Sequence, residues 1–392
     1  MAPSLDPAKE VSTTIGTTLG RARPALLRRL ASLALIDRRH VTVALATADG
    51  RVVGIDPAAR LGMVRSVART VCDAFSENIA EGDIILTNDP FSGGTHIQDL
   101  TLLRPLFVAE QLIGWTVVQT PLPDLGGMAL GGYYPFALEI WAEGIRVTPA
   151  KLYRKGVLQR DALTMLTLNS RLPHLVEKDV QNMVDILELA NTAVTALAVR
   201  QTPAVYTQAL DRIIADTAAQ AQAALSALPR GEWQGESGPI HCCLEEADLH
   251  VTVRLTVSGQ SVELDFSGSS PAAKGFVNTT AATTQAAAAI PFLALRPSLP
   301  ANEGVFQHLH ISLPDDTFLH AKLPMSVGWS PYQPSQAVVQ AVAAALGQTY
   351  RTLPPVKHLT APVTAPPLPF TVTGCGRPGC PFSPPQPPTP NP

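Results

Sequence analysis

Residues 82–132 restrict the fold of this chain more than any other part of its sequence. Apolar runs of β type alternate there with glycine-rich and polar turns, a pattern that predicts strands joined by tight loops. Residues 84–87 are one predicted strand, and residues 115–118 are a second, buried one. The turns between them concentrate side chains of ligand type, and rigid scaffolds usually carry their chemistry on such loops. We therefore expect the functional site in this stretch.

The first of these turns leads into a short group of polar residues, Thr95, His96 and Asp99. A histidine and an aspartate three residues apart can point at one centre from a turn or from the start of a helix. An imidazole nitrogen and a carboxylate oxygen together suit Zn, Mn or Fe. The spacing is also common by chance, and Asn88 and Asp89 suit a simple Asx-type turn. On the residues alone, a metal site and an ordinary turn both stay open.

The segment before this stretch predicts helices around one hairpin. Residues 11–34 have helical spacing that Pro24 interrupts, which favours a pair of helices. Two apolar runs flank Asp49 and Gly50, and an Asp-Gly pair favours a tight hairpin turn. Residues 61–76 have the period of a helix.

Beyond the central stretch, the period changes once from helical to β. Residues 157–200 are helical with a break at Pro173, and residues 206–228 form an alanine-rich helix. After residue 230 the sequence predicts a second hairpin over 250–266, followed by a buried helix and a strand. The expected fold is therefore α+β (mixed α/β), with hairpins and sheets, long helical insertions and at least two subdomains.

Three parts follow from these patterns. Residues 1–230 form an N-terminal mixed α/β domain with the candidate site, and residues 231–350 form a second α+β domain. Residues 351–392 are rich in proline, which is disfavoured in helix interiors and central strands, so we expect a disordered tail.

Composition excludes several classes of function. Hydrophobic residues make up 46% of the chain and charged residues 16%, as in a soluble globular protein. The net charge of −3 gives no basic field for nucleic acid or an anionic membrane. The first residues lack the order of a signal peptide, so we expect a cytoplasmic protein. Its five cysteines are too few and too irregular for a disulfide framework.

Many short motifs of the chain together resemble the hydantoinase B/oxoprolinase family. Each is weak alone, but they occur in the family's order over most of the chain. The matching segments are Asn88 to Pro90, residues 93–96 with Asp99, and residues 124–127, 139–140, 143–146, 149–152, 265–271, 275–278 and 300–304.

The resemblance implies the chemistry of an ATP-dependent cyclic amidohydrolase. Such enzymes open five-membered cyclic amides such as 5-oxoproline or N-methylhydantoin, and related subunits serve in ketone carboxylases. A hydantoinase A-type subunit activates the ring amide with ATP, and the B-type subunit completes hydrolysis. This division agrees with the absence of a GxxxxGK[ST] loop from the sequence.

The resemblance also implies roles for individual residues. His96, Asp99 and Asp124 would hold a divalent metal (Zn, Mn or Fe) that activates water. Asp124 would alternatively serve as a general base, and Glu139 as an acid/base carboxylate. The implied substrate-binding residues are Asn88, Asp89, Gly93, Gly94, Thr95, Gly126 and Gly127.

The sequence departs from the family at several polar positions. Pro121 and Leu122 stand where the family has two histidines, Arg60 stands where it has a histidine, and His40 where it has an acidic residue. The proline-rich residues 351–392 stand where the family continues with a folded region. These departures keep two alternatives open: a non-catalytic paralogue that serves as a binding or assembly subunit, or a diverged binding protein with no link to cyclic amides.

Overall fold

The computed structural model describes residues 6–349, and its centre is an antiparallel sheet of seven strands within that range. Their order across the sheet is β2-β1-β5-β4-β3-β6-β7. The predicted hairpin is β1 and β2, and both predicted strands of the central stretch are present, as β3 and as part of β5. The strands are β1 (Thr42–Ala46), β2 (Val52–Asp56), β3 (Ile84–Thr87), β4 (Asp99–Val108), β5 (Gln111–Pro121), β6 (Ala150–Arg154) and β7 (Val157–Leu158).

Helices cover both faces of this sheet because its strands are apolar on both sides. Val43 and Leu45 face a core shared with α1, α4 and α5, whereas Ala44 and Ala46 face a core shared with α2. This alternation follows from the two-residue period of a strand. The helices are α1 (Pro7–Arg29), α2 (Leu61–Ala74), α3 (Arg160–Leu168), α4 (Pro173–Gln201) and α5 (Pro203–Ser226).

A second sheet of four strands, again counted over the described residues, has the order β11-β10-β9-β8. It begins at Gly231, and β9 and β10 form the hairpin predicted from the sequence. The helix α7 packs on β8 and β9, and α6 lies between α7 and α2. The elements are β8 (Gly231–Ile240), β9 (Leu249–Val257), β10 (Val262–Asp265), α6 (Ala281–Leu295), β11 (Leu309–Ser312) and α7 (Gln333–Thr349).

The contact between α2 and α6 joins the two sheets closely. A Cβ atom at Gly62 would lie 2.5 Å from the Cα atom of Ala286, so only glycine allows this crossing. The mixed α/β class predicted from the sequence is confirmed, and the division into domains at residue 230 stays a prediction.

The predicted break at Pro24 is wrong, because α1 continues through it as one helix. Its apolar face is buried on both sides of the proline, at Ile15 and Leu19 before it and at Leu26 after it. We infer that this packing offsets the hydrogen bond that proline removes.

One described helix, α4, is long and apolar enough to span a membrane by length and composition. Core helices of soluble proteins meet the same criterion, and α4 packs against α1, β4 and β5. The predicted proline-rich tail, with Cys375 and Cys380, lies outside the described residues.

Candidate functional site

The loop between β3 and β4 brings the predicted residues Thr95, His96 and Asp99 together, and all three are completely buried. The Nδ1 atom of His96 lies 3.5 Å from Oδ2 of Asp99 and 3.0 Å from the hydroxyl of Thr95. That hydroxyl also donates a hydrogen bond to Asp99 Oδ2. Because Asp99 is the first residue of β4, the sheet holds this group in place.

An arginine supplies the positive charge beside Asp99. Arg60 lies just before α2 and is 4% exposed, and its Nη2 donates to Asp99 Oδ2 at 2.7 Å and to Gln119 Oε1 at 2.5 Å. Burial alone would raise the pKa of Asp99, but Arg60, His96 and His40 hold that pKa well below its usual range. Asp99 is therefore an anion, and Arg60 is its fixed counter-charge.

A second histidine, His40, lies on the other side of the Asp99 carboxylate. Its Nδ1 is 4.0 Å from Asp99 Oδ1, and its Nε2 is 3.8 Å from Asp37 Oδ2. Burial and the nearby Arg60 lower the pKa of His40 to about 4, so its imidazole is neutral at physiological pH.

Two tyrosines from different parts of the chain complete a buried cluster. Its other members are His40, Arg60, Thr95, His96 and Asp99. The hydroxyl of Tyr133 is 3.3 Å from His96 Nε2 and 2.8 Å from the hydroxyl of Tyr332. The ring of Tyr332 stacks on His40 at 5.5 Å between centroids. Burial raises the pKa of both tyrosines, so both hydroxyls stay protonated. The cluster is therefore completed by a residue just before α7, close to the end of the described chain.

Four polar atoms of this cluster have no hydrogen-bond partner among the described residues: His40 Nδ1, Arg60 Nε, Arg60 Nη1 and Asp99 Oδ1. Leaving a buried polar group unpaired costs about 1–3 kcal/mol. Four such atoms in one cluster mark it as a candidate functional site.

The donor set does not fit the predicted metal. Over residues 6–349, no three histidine, cysteine, aspartate or glutamate side chains converge where they could hold an ion. His96 and Asp99 supply two ligands, and the Arg60 guanidinium already contacts the carboxylate. Pro121 pairs directly with Asp99 across β4 and β5, but it offers no ligand there.

Asp124, the third predicted ligand, does not join His96 and Asp99. Its carboxylate organises a separate loop by accepting five hydrogen bonds, and it forms an ion pair with Arg171 at 3.0 Å. The donors are the backbone amides of Gly126, Gly131 and Arg171, the hydroxyl of Ser170 and the guanidinium of Arg171.

The predicted substrate-binding residues Asn88 and Asp89 use their side chains within the protein. Asn88 bonds to the backbone of Ile97, Ile145 and Val147, and so ties two loops together. Asp89 accepts from the amide of Phe91 and the hydroxyl of Ser92, which is the Asx-type turn considered from the sequence.

The predicted glycines allow close contacts between backbone segments. At Gly93, which has φ of 102°, a Cβ atom would lie 2.6 Å from the amide nitrogen of Val67. At Gly94, Gly126 and Gly127, it would lie within 2.8 Å of a backbone carbonyl oxygen. Gly126 and Gly127 also line a cavity of about 480 Å³ beside Trp141 and Arg171.

Glu139 is exposed, whereas its neighbour Glu143 is completely buried and was not predicted as a functional residue. One oxygen of Glu143 accepts from the hydroxyl of Ser326 and from the amides of Val327 and Gly328, at 2.9 and 2.6 Å. Burial raises the pKa of Glu143 to about 8, against the effect of these donors. Glu143 therefore fixes the loop that precedes Tyr332.

We expect the change Glu143→Gln to flatten the pH dependence of stability between about pH 5 and pH 8. The folded state keeps the Glu143 proton up to about pH 8, while the unfolded carboxyl releases it near its ordinary pKa of 4.5. The wild-type free energy of unfolding therefore falls as pH rises through this window, by up to about 1.4 kcal/mol per pH unit. Urea denaturation at four pH values measures this slope. The exposed Glu139→Gln is the matched control, and an unchanged slope in Glu143→Gln would contradict the assignment.

Comparisons with known proteins agree with this architecture. Caprolactamase subunit beta of Pseudomonas jessenii is 28% identical over 306 residues, which cover 75% of this chain and 51% of the relative. The 5-oxoprolinase 1 of Arabidopsis thaliana is 24% identical over 357 residues, covering 84% of this chain and 28% of the relative. The chain thus spans about half the length of the first relative and less of the second.

The fold itself is known from a solved structure. The crystal structure of the ATP-dependent caprolactamase from Pseudomonas jessenii matches with a TM-score of 0.81 at 24% identity, covering 89% of this chain and 61% of that one. The sequence profile of hydantoinase B/oxoprolinase matches residues 15–361, which include every residue of the buried cluster. The chain is therefore a member of the hydantoinase B/oxoprolinase family.

Proposed function

We propose that this chain is the B-type subunit of a cytoplasmic, ATP-dependent enzyme that opens a small cyclic amide. A hydantoinase A-type companion subunit would use the ATP, and the substrate would be of the 5-oxoproline or N-methylhydantoin type. Family membership and relatives that include a caprolactamase subunit and a 5-oxoprolinase support this proposal. The observation that carries it is the buried pair of His96 and Asp99, with the Tyr133 hydroxyl at the outer imidazole nitrogen.

The chemistry requires two steps because a ring amide is a poor electrophile. Phosphorylation of its oxygen by the companion subunit would make the carbonyl carbon reactive. Water then attacks that carbon, and a base must take a proton of the water as the new C–O bond forms. The ring C–N bond breaks as the nitrogen takes up a proton, and a second water hydrolyses the resulting acyl phosphate to the open-chain carboxylate and phosphate.

His96 is the base in this proposal. Asp99 faces its Nδ1 and orients the ring, so that Nε2 is left toward Tyr133 and can accept a proton. Arg60 stabilises negative charge that develops on oxygen in the transition state. We assign the base to His96 rather than to Asp124 or Glu139, because Asp124 is saturated with hydrogen bonds and Glu139 is exposed.

The proposal includes no step that uses a metal, because the donor set at Asp99 does not fit one. We expect purified wild-type protein to carry no stoichiometric Zn, Mn or Fe. The double change Arg60→His and Pro121→His removes the guanidinium and places imidazoles beside and opposite Asp99. It should therefore gain about one metal ion per chain. Elemental analysis of both proteins measures this, and a full equivalent of metal in the wild type would overturn the expectation.

Ring opening by the reconstituted pair of subunits tests the function. The chain is co-purified with an A-type subunit and given 5-oxoproline, N-methylhydantoin or caprolactam, and the opened product and ADP are measured. Turnover should require both subunits and ATP. His96→Ala should lower kcat roughly 10²–10⁴-fold, whereas the exposed His174→Ala should not.

Two results would contradict this function. Equal turnover by His96→Ala and wild type would remove His96 from the chemistry. A stable pair of subunits that opens none of the three amides would favour the non-catalytic assembly subunit instead.

A further inference from the structure

Six large apolar side chains of the described residues are exposed on one part of the surface, outside the buried cluster. Each residue is between 46% and 74% exposed. Single exposed apolar residues are ordinary, but a group of them marks an interaction surface. We call this group the apolar face, and its members are Met128, Leu138, Trp141, Met165, Leu168 and Leu323.

The indole of Trp141 lies at the centre of the apolar face. The amide of Met128 donates to the carbonyl oxygen of Ala142 at 2.8 Å, so Met128 lies beside Trp141. Trp141 and Leu168 line the same cavity of about 480 Å³. Met165 precedes Leu168 by three residues in α3, and this spacing places both side chains on one side of the helix.

The second sheet's part of the chain contributes the remaining edge of the face. The amide of Ile140 donates to the carbonyl oxygen of Pro324 at 2.8 Å. This contact places Leu323 beside the segment that contains Leu138 and Trp141. The apolar face is therefore one continuous surface that crosses from the loop after β5 to the segment before α7.

Residues 128–142, which supply half of the apolar face, have the composition of an interface core. Glu139 is their only charged residue. The cores of protein interfaces are depleted of charged residues and enriched in methionine and aromatic residues. The segment contains one methionine and four aromatic residues: Met128, Tyr133, Tyr134, Phe136 and Trp141.

The area of the apolar face indicates a protein partner. Its six residues together expose roughly 700 Å², whereas the largest apolar patch of a typical monomer is about 300–600 Å². A stable interface of standard size buries about 800 Å² on each partner. The apolar face alone comes close to this value, so a folded protein is an occupant of the right size.

The loop that contains the apolar face also reaches the buried cluster. Tyr133 lies between Met128 and Trp141 in sequence, and its hydroxyl is 3.3 Å from His96 Nε2. In the proposed reaction, the companion subunit phosphorylates the ring and this chain hydrolyses it. Such a reactive intermediate must be protected from bulk water during transfer. The companion must therefore bind close to the cluster, a requirement that a second copy of this chain does not have.

We propose that the apolar face is the surface on which the A-type companion subunit docks, with Trp141 as the central contact. This inference rests on the proposed function and adds to it the place where the companion binds. The companion should present an apolar surface of similar area, with a recess for the indole of Trp141. Tryptophan side chains commonly contribute most to the binding energy of such interfaces.

Calorimetric titration of the purified full chain with the A-type subunit tests this docking face. Trp141→Glu should raise the Kd of the pair roughly 100-fold or more, and Leu168→Glu roughly 10-fold or more. Val199→Glu is the matched control, because Val199 is 61% exposed and lies roughly 40 Å along α4 from its first residue. Its Kd should equal that of the wild type. An excess of companion subunit should restore ring opening by Trp141→Glu.

The outcomes separate the docking face from the proposed function. An unchanged Kd in both Trp141→Glu and Leu168→Glu overturns the docking face, even if the wild-type pair opens ring amides. Loss of pairing in these variants supports the docking face, even if the wild-type pair opens none of the amides and the proposed function fails. Circular dichroism confirms that each variant is folded, and Leu168→Glu keeps the test decisive if Trp141→Glu is not.

Two other occupants would also be recognised. Light scattering that shows a wild-type dimer, and a monomer for Trp141→Glu, would assign the apolar face to a second copy of this chain and overturn the proposal. Faster proteolysis of residues 350–392 in Trp141→Glu, with an unchanged Kd for the companion, would assign the face to that segment and overturn it as well.

Discussion

Replacing Asp99 with alanine should destabilise the protein by about 3–5 kcal/mol, because it leaves the Arg60 guanidinium buried without its anion. The double change Arg60→Met and Asp99→Ala should recover most of this loss, since it removes both charges from the interior. A double-mutant cycle with urea denaturation measures the coupling between the two residues.

The exposed pair of Asp49 and Arg51 provides the control for this cycle. These side chains are 61% and 32% exposed, so Asp49→Ala should cost less than about 1 kcal/mol. If Asp99→Ala costs no more than Asp49→Ala, or if the double variant shows the simple sum of two losses, Arg60 and Asp99 are not a coupled buried pair.

The second large effect is expected at Asp124, where alanine should cost about 3–5 kcal/mol of stability. Its carboxylate accepts hydrogen bonds from three backbone amides and from the Arg171 guanidinium, so alanine would remove the acceptor that these donors share. Asp124→Asn keeps one carbonyl oxygen and should lose clearly less.

This pair of variants also separates a structural role of Asp124 from the predicted catalytic one. We expect Asp124→Asn to retain ring opening per folded molecule in the reconstituted enzyme, while Asp124→Ala fails through instability. Urea denaturation and turnover are measured on the same samples. An Asp124→Asn protein of wild-type stability without turnover would restore Asp124 as a general base.

Much of the fold could be predicted because local patterns determine it. Asp49 and Gly50 predicted the hairpin of β1 and β2, and the change of period after residue 230 predicted the start of the second sheet. The predicted helix break at Pro24 was wrong because proline weakens a helix only locally, whereas the burial of Leu19 and Leu26 stabilises α1 on both sides of it.

The sequence grouped residues of the buried cluster only where they are neighbours along the chain. His96 and Asp99 are three residues apart, at the end of one loop and the start of β4, and one motif contains both. Arg60, His40, Tyr133 and Tyr332 reach the same point from separate elements, and no spacing rule connects residues so far apart. The burial of Glu143 rather than Glu139 could not be predicted for a similar reason, because two carboxylates four residues apart differ in burial and not in composition.

The hydrogen bond between Tyr133 and Tyr332 joins residues that are 199 positions apart, so the site is assembled from distant segments of the chain. The hairpin of β4 and β5 forms from neighbouring segments, whereas closing a loop of this length carries a larger entropic cost and slows the contact. During synthesis, the segment with His96 and Asp99 leaves the ribosome well before Tyr332 does. We therefore expect the sheet to fold first and the contacts of Tyr332 with the buried cluster to form last, as the final step of folding.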